Sequence, residues 1–275
     1  MDRKQLEKKA YELRKKVIEM IYHGGSGHPG GSLSAAEIIS VLYFSVMNID
    51  AENPKKENRD RFVLSKGHAC PIVYAALCER GFFADDILCT LRQTNSILQG
   101  HPDCKKTPGL DATTGSLGQG LSIGFGMALG ARQRRLDYNI FVLLSDGEMQ
   151  EGMTWEAAMS SAHYKCGNIT AIVDCNNLQV DGHIDEVMNI EPLADKWRAF
   201  GWDCVEVDGH DVQALSDAFN TMHKKDKPRV ILCKTVKGKG VSFMEDVMEW
   251  HASPIDDDIY CRAIQELEEK IKSFT

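Results

Sequence analysis

Five short, mostly apolar runs constrain this chain more than any other feature. They are "RFVLS" (61–65), "NIFVLLS" (139–145), "NITAIVD" (168–174), "WDCVEVD" (202–208) and "RVILCKT" (229–235). Runs of this length and composition read as strands. Stretches with helical spacing lie between them, at 34–47, 71–80, 120–135, 154–165 and 212–223. Strands that are apolar on both faces need cover on both, and strand–helix alternation supplies it. The expected fold is therefore α/β, a doubly wound and mostly parallel sheet with helices on both faces.

At the amino end, Leu6, Ala10, Leu13, Val17 and Ile21 repeat at helical spacing, which predicts an amphipathic docking helix rather than a signal peptide. The boundaries expected are one domain over 1–253 and a linker helix over 254–275, after Pro254. A chain of 275 residues can bury about 70–75% of its unfolded surface, enough for its own core. A formal charge of −8 argues against a nucleic-acid partner. No apolar run approaches the ~18 residues of a membrane span. Nine scattered cysteines without a CxxC pair suit reduced thiols in a cytoplasm.

Parallel sheets bind ligands at the carboxyl ends of their strands. There the sequence places "SKGHA", "SDGE", "DCNN", "DGHD" and "KTVKGKG", one after each expected strand. Asp146 and Asn176 end the second and third strands, thirty positions apart, about the length of one βαβ unit. A carboxylate and a carboxamide oxygen facing each other suit Mg²⁺ or Ca²⁺. Gly147 would admit a ligand close to the backbone. Asp146 alone could equally cap the next helix, and the Asn pair alone could be an Asx turn.

A second segment, "TTGSLGQGLSIGFGMALGAR" (113–132), begins as a loop and turns helical. Gly115, Gly118 and Gly120 could present N–H groups to a phosphate, while Gly120, Gly124 and Ala128 could pack closely against a neighbour. Neither a dinucleotide fingerprint nor a P-loop is present. Of nine histidines, four lie in turn-like settings: His28 in "GSGHPGG", His68 in "SKGHA", His101 in "QGHPD" and His251 in "EWHA". Near a phosphate-binding edge they suit polyol recognition and proton transfer. His23, His163, His183, His210 and His223 have no comparable context.

With these segments assembled, the chain resembles the amino-terminal, thiamine diphosphate-binding half of transketolases, over nearly its whole length. "SDGEMQEG…WEAAMSSAHYKCGN…DCNN" resembles the family's cofactor motif, and "GSGHPGGSLSAAEI" and "EWH" occur in the family's order. The resemblance implies that Asp146, the Asn176 side chain and the Leu178 carbonyl hold Mg²⁺ or Ca²⁺, which bridges to the diphosphate. It places Gly147, His68 and Asn176 by the diphosphate, with Gly115, Ser116, Leu117 and His251 along the cofactor. It gives His28 and His251 the substrate's hydroxyl protons, sets His101 by the donor sugar, and has Glu151 and Glu156 connect paired sites across a dimer.

The activity implied is ketol transfer from a ketose phosphate to an aldose phosphate. Two departures stand out: Ser145 where the family has a glycine, and "WHASP" where it has Trp-His-Gly. The second half, with the glutamate that activates the cofactor, would come from a separate carboxy-terminal transketolase subunit, in an assembly with two copies of each chain. A branched or sulfonated sugar phosphate as substrate, or a non-catalytic cofactor-binding role, would leave a similar sequence.

Overall fold

The computed structural model describes residues 1–221 and 226–274. His223 and the last two positions of the helix expected over 212–223 lie outside the described residues. Strands β1 (Arg61–Leu64), β2 (Ile140–Ser145), β3 (Ile169–Cys175), β4 (Asp203–Asp208) and β5 (Arg229–Lys234) form one sheet. Its order is β1-β2-β3-β5-β4, and every neighbouring pair is parallel. All five carboxyl ends therefore point to one edge, as the sequence predicts.

Ten helices surround the sheet among the described residues: α1 (Arg3–Gly24), α2 (Pro29–Ser34), α3 (Ala36–Val41), α4 (Cys70–Glu79), α5 (Gln119–Arg134), α6 (Gly152–His163), α7 (Ile184–Val187), α8 (Leu193–Ala199), α9 (Val212–Asn220) and α10 (Asp257–Lys272). Alternate strand residues feed two cores. Phe62, Leu64, Phe141, Leu143, Ile172 and Ile231 pack with α1, α3, α4 and α9. Val63, Val142, Leu144, Ala171, Val173 and Val230 pack with α5, α6 and α8. This is the doubly wound arrangement, and it explains why β2, β3 and β5 are apolar on both faces, while the edge strand β4 exposes Glu206 and Asp208.

The stretch expected as one helix over 34–47 is divided. Pro29, whose fixed φ suits a first turn, starts α2 earlier. Ala35, at φ −88° and ψ 5°, breaks the helical path before α3, and a π turn follows over Leu42–Val46. After Pro254, Asp256 caps α10 by accepting from the Ile259 N–H at 2.9 Å. That helix lies along α1, with Ala263 and Leu267 fully buried in the same core. A buried leucine alone contributes about 1.5–3 kcal/mol to such a contact. None of the helices is long and apolar enough to cross a membrane among the described residues.

Candidate active site at the carboxyl edge

The register that pairs Ser145 with Asp174 brings Asp146, one residue on, and Asn176, two residues on, to the same sheet edge, where both line one cavity. Asp174 is fully buried and takes a proton donor on every side. Lys66, itself buried, forms an ion pair with it, Ser34 donates at 2.6 Å, Thr235 donates to its other oxygen, and the Asn176 amide lies at 3.3 Å. Burial pushes this carboxyl up, but Lys66 and the hydroxyl donors outweigh it and hold it below its usual range.

Asp146 is almost as buried and is served differently. Its oxygens accept backbone N–H bonds from Gly147 at 2.8 Å and Asn177 at 2.6 Å. The first of these caps the short turn Gly147–Gln150, so the capping role read from the sequence is present. With no ion pair to it among the described residues, burial and then the neighbouring Asp174 charge push Asp146 up to about 7. Asn176 is 6% exposed, and its carbonyl oxygen accepts from the Leu178 N–H at 3.2 Å. The Asn177 backbone between them is left-handed at φ +61°, a conformation asparagine tolerates.

The residues present fit a hard divalent cation. A buried carboxylate, a carboxamide oxygen and the Leu178 carbonyl are oxygen donors of the kind Mg²⁺ and Ca²⁺ take. Among the described residues no three His, Cys, Asp or Glu side chains gather as a metal centre. A cation here would rely on that mixed oxygen set, with waters or ligand oxygens completing it.

A cavity of about 230 Å³ opens above these groups. Asp146, Gly147, Asn176 and Leu178 line one side, His68 and His251 another, and Leu117 and Glu151 also border it. Lys237 crosses between the sides. It is 2% exposed and donates to the Leu178 carbonyl at 2.9 Å, with His251 Nδ1 at 3.0 Å. Burial and the second ammonium of Lys66 push it down to about 8.

Four imidazoles from four separate loops meet at the mouth. His28 stands 5.4 Å from His68, 5.6 Å from His251 and 6.2 Å from His101, ring centre to ring centre, and His68 is 5.2 Å from His251. Burial, then the Arg92 charge, lowers His28 to about 4, and burial, then Lys237, lowers His251 to about 4. Burial also lowers His68, well below its usual value, and His101. All four are neutral near pH 7, so each ring offers one donor and one acceptor nitrogen.

The Gly-rich segment shows the close packing read from it. Gly124 and Gly120 sit against Val142 and Ser65 so closely that a methyl group would collide, and Ala128 is buried. Gly115 has φ +147° and faces His101, where an added Cβ would stand 2.9 Å from the ring. Ser116 is exposed, its hydroxyl accepting from Gln119 at 3.2 Å. Glu148, fully buried, ties the segment down by accepting from the Gly118 N–H at 2.7 Å, from Ser145 at 3.3 Å and from Ser65. Glu156 is exposed on α6.

Sequence reasoning passed over Lys66, Asp174, Lys237 and Arg92. The first three lie inside "SKGHA", "DCNN" and "KTVKGKG", the strand-end segments singled out for other residues. Their place in those strand-end segments is the one signal the sequence held for them; burial is what sets them apart.

Comparison with known proteins places the chain in a family. Residues 6–271 match the family described as transketolase, thiamine diphosphate binding domain. The chain is 40% identical to an apulose-4-phosphate transketolase subunit of Phocaeicola vulgatus, over 97% of this chain and 95% of that one. It is 42% identical to the 6-deoxy-6-sulfo-D-fructose transketolase subunit SqwG of a Clostridium species, over 96% and 97%. Human transketolase is 40% identical over 98% of this chain but only 43% of its own length. Transketolase from Campylobacter jejuni superposes with a TM-score of 0.91 at 29% identity, covering all of this chain and 46% of that one. The chain thus spans about half of the longer transketolases and nearly all of the two subunits of its own length. It belongs to the transketolase family, as a thiamine diphosphate-binding domain.

Proposed function

We propose that this chain is the cofactor-binding subunit of a two-chain transketolase, acting on sugar phosphates in the cytoplasm. The observation that carries the reading is the two-sided cavity, with hard oxygen donors on its floor and four neutral imidazoles at its mouth. Thiamine diphosphate, when bound, supplies the electron sink for breaking a carbon–carbon bond beside a carbonyl. Asp146, Asn176 and the Leu178 carbonyl would hold Mg²⁺ or Ca²⁺ against its diphosphate. Lys237, Gly147 and His68 would bind the diphosphate, and Gly115, Ser116, Leu117 and His251 would lie along the cofactor.

His28 and His251 would take and return protons at the sugar's hydroxyl groups, and their neutral rings suit that work. His101, held against Gly115, would orient the donor sugar. A separate carboxy-terminal subunit would bring the activating glutamate, with two copies of each chain joined through Glu151 and Glu156. The exposed side chains of Met153 and Met159 on α6 and of Val180 at the cavity give such a partner apolar side chains to cover. The names of both relatives of this length favour an unusual donor, branched or sulfonated, over the common pentose phosphates.

The test is ketol transfer with thiamine diphosphate and Mg²⁺, comparing this chain alone with this chain plus the product of an adjacent gene. Xylulose 5-phosphate, apulose 4-phosphate and sulfofructose would each be offered as donor, with ribose 5-phosphate as one acceptor. Activity confined to the mixture is the expected result. Activity in the isolated chain would overturn the two-chain reading, since some residue here would have to replace the missing glutamate.

A further inference from the structure

Behind the loop that carries Lys237 lies a buried polar chain that no local sequence pattern announces. Arg14 on α1 donates through both terminal nitrogens to Glu37 on α3, at 2.6 Å each, and through Nε to the Leu33 carbonyl at 3.2 Å. Glu37 Oε2 lies 2.9 Å from Nδ1 of His210, the histidine that follows β4. On the far side of the ring, Nε2 is 2.9 Å from the Val236 N–H. Side-chain exposure is 0% for Arg14, 7% for Glu37 and 16% for His210.

The partners fix the ring's protonation. A backbone N–H can only donate, so Nε2 presents its lone pair and carries no proton. The other nitrogen faces a carboxylate, so Nδ1 carries the hydrogen. Glu37 stays ionised: burial pushes it up, but Arg14 and then His210 outweigh it and hold it at about 2.

Val236 immediately precedes Lys237, and the loop leans on the same buried chain again further on. Gly238 donates to the Gly30 carbonyl at 3.0 Å, and Gly240 packs so tightly on Arg14 that a Cβ there would stand 2.8 Å from Arg14 Cδ. The loop backbone is thus clamped on both sides of Lys237 while its ammonium reaches Leu178 and His251.

We propose that Arg14, Glu37 and His210 form a positioning chain that fixes Val236 and thereby aims the Lys237 ammonium into the cofactor cavity, with His210 acting as the neutral Nδ1–H tautomer. His210 is a positioning residue, not a catalytic one. The inference rests on the reading that Lys237 meets the cofactor's diphosphate.

The experiment measures thiamine diphosphate affinity by calorimetry on the complex of this chain with its partner, for H210A, H210N, K237A and the H210A/K237A double variant. Melting temperature and the KM for the aldose are recorded alongside. H210A is expected to weaken cofactor binding about 10–100-fold, the usual effect of removing a supporting partner, with aldose KM changed less than about twofold. In the K237A background the same change should add almost nothing, because the two residues act on one contact. H210N keeps an N–H for Glu37 but cannot reach Val236, so it should recover the melting temperature without recovering affinity. In ¹⁵N spectra of histidine-labelled chain, His210 should show a protonated Nδ1 and a bare Nε2.

Full additivity of the two variants, or normal affinity in H210A and H210N, would overturn the positioning role. So would an Nε2–H tautomer. If K237A itself binds the cofactor normally, the assignment of Lys237 to the diphosphate falls first, and this inference falls with it.

Discussion

Two aspartates close neighbouring strands, both buried, yet they are set up for opposite purposes. Asp174, at the end of β3, is surrounded by side chains that donate to it and has its own ammonium in Lys66. Asp146, just past β2, receives only two backbone N–H bonds and has its carboxyl pushed up to about 7. A carboxylate whose charge is matched from within the chain is finished when the chain folds. One left without a countercharge in a buried position at a cavity is ready to be matched from outside. The difference makes Asp174 part of the frame and leaves Asp146 the carboxylate available to the cation of the proposed reading.

The largest effect that could break this contrast lies at Asp146. Asp146→Asn should weaken divalent-cation and cofactor binding by at least the 10–100-fold typical of losing a mere supporting partner, with activity of the two-chain complex lost in proportion. The same variant should melt no lower than the parent, because it removes an unmatched buried acid. A large drop in melting temperature with cation binding intact would place Asp146 in the frame instead. Chelation belongs beside it: stripping divalent cations should abolish transfer, and Mg²⁺ or Ca²⁺ should restore it. At a cation and cofactor excess of about 100 times the dissociation constant, the loaded chain should gain about 2.7 kcal/mol against unfolding.

Asp174→Ala should show the reverse pattern. Lys66 would be left charged and buried without its partner, a loss of about 3–5 kcal/mol of stability. Chemical denaturation of the chain alone measures it, and a loss below ~1 kcal/mol would mean that Lys66 finds another carboxylate or water.

The smallest effect concerns protons at the mouth. His28 and His251 have folded-state values near 4, below the ordinary 6.5. Between those values the unfolded chain binds more protons than the folded one, so stability rises with pH across that window and falls as pH drops through it. His28→Asn should flatten this slope in melting curves taken between pH 6.5 and 4. An unchanged slope would show that the ring is hydrated and titrates as in water.

Much of the fold was legible because strands buried on two faces, such as β2, β3 and β5, must be apolar throughout, and the edge strand β4 still alternates. Asp146, Asn176 and the four histidines were legible because glycine-rich turns at strand ends hold them in short, recognisable segments. Lys66 and Lys237 were not, because a lysine in sequence looks the same whether it is solvated or buried; only the strand that arrives beside it decides. His210 was set aside for the same reason. Its partners, Glu37 and Val236, lie 173 and 26 positions away, beyond any local pattern. The division at Ala35 was equally hidden, since the apolar spacing runs on through the break.

The strand order has one consequence for how the chain comes together. β3 does not pair with β4, the next strand made, but with β5, whose residues follow some sixty positions later; Thr170 meets Arg229. Until residues 229–234 are synthesised, one edge of the middle strand is open and Thr235 is not yet there to donate to Asp174. Pairings of such long range close slowly. The residues of β1, β2 and β3 all precede β5, whereas Lys237 and His251 follow it, so the candidate site is the last part of the edge to be completed, and a chain halted before β5 would lack both side chains.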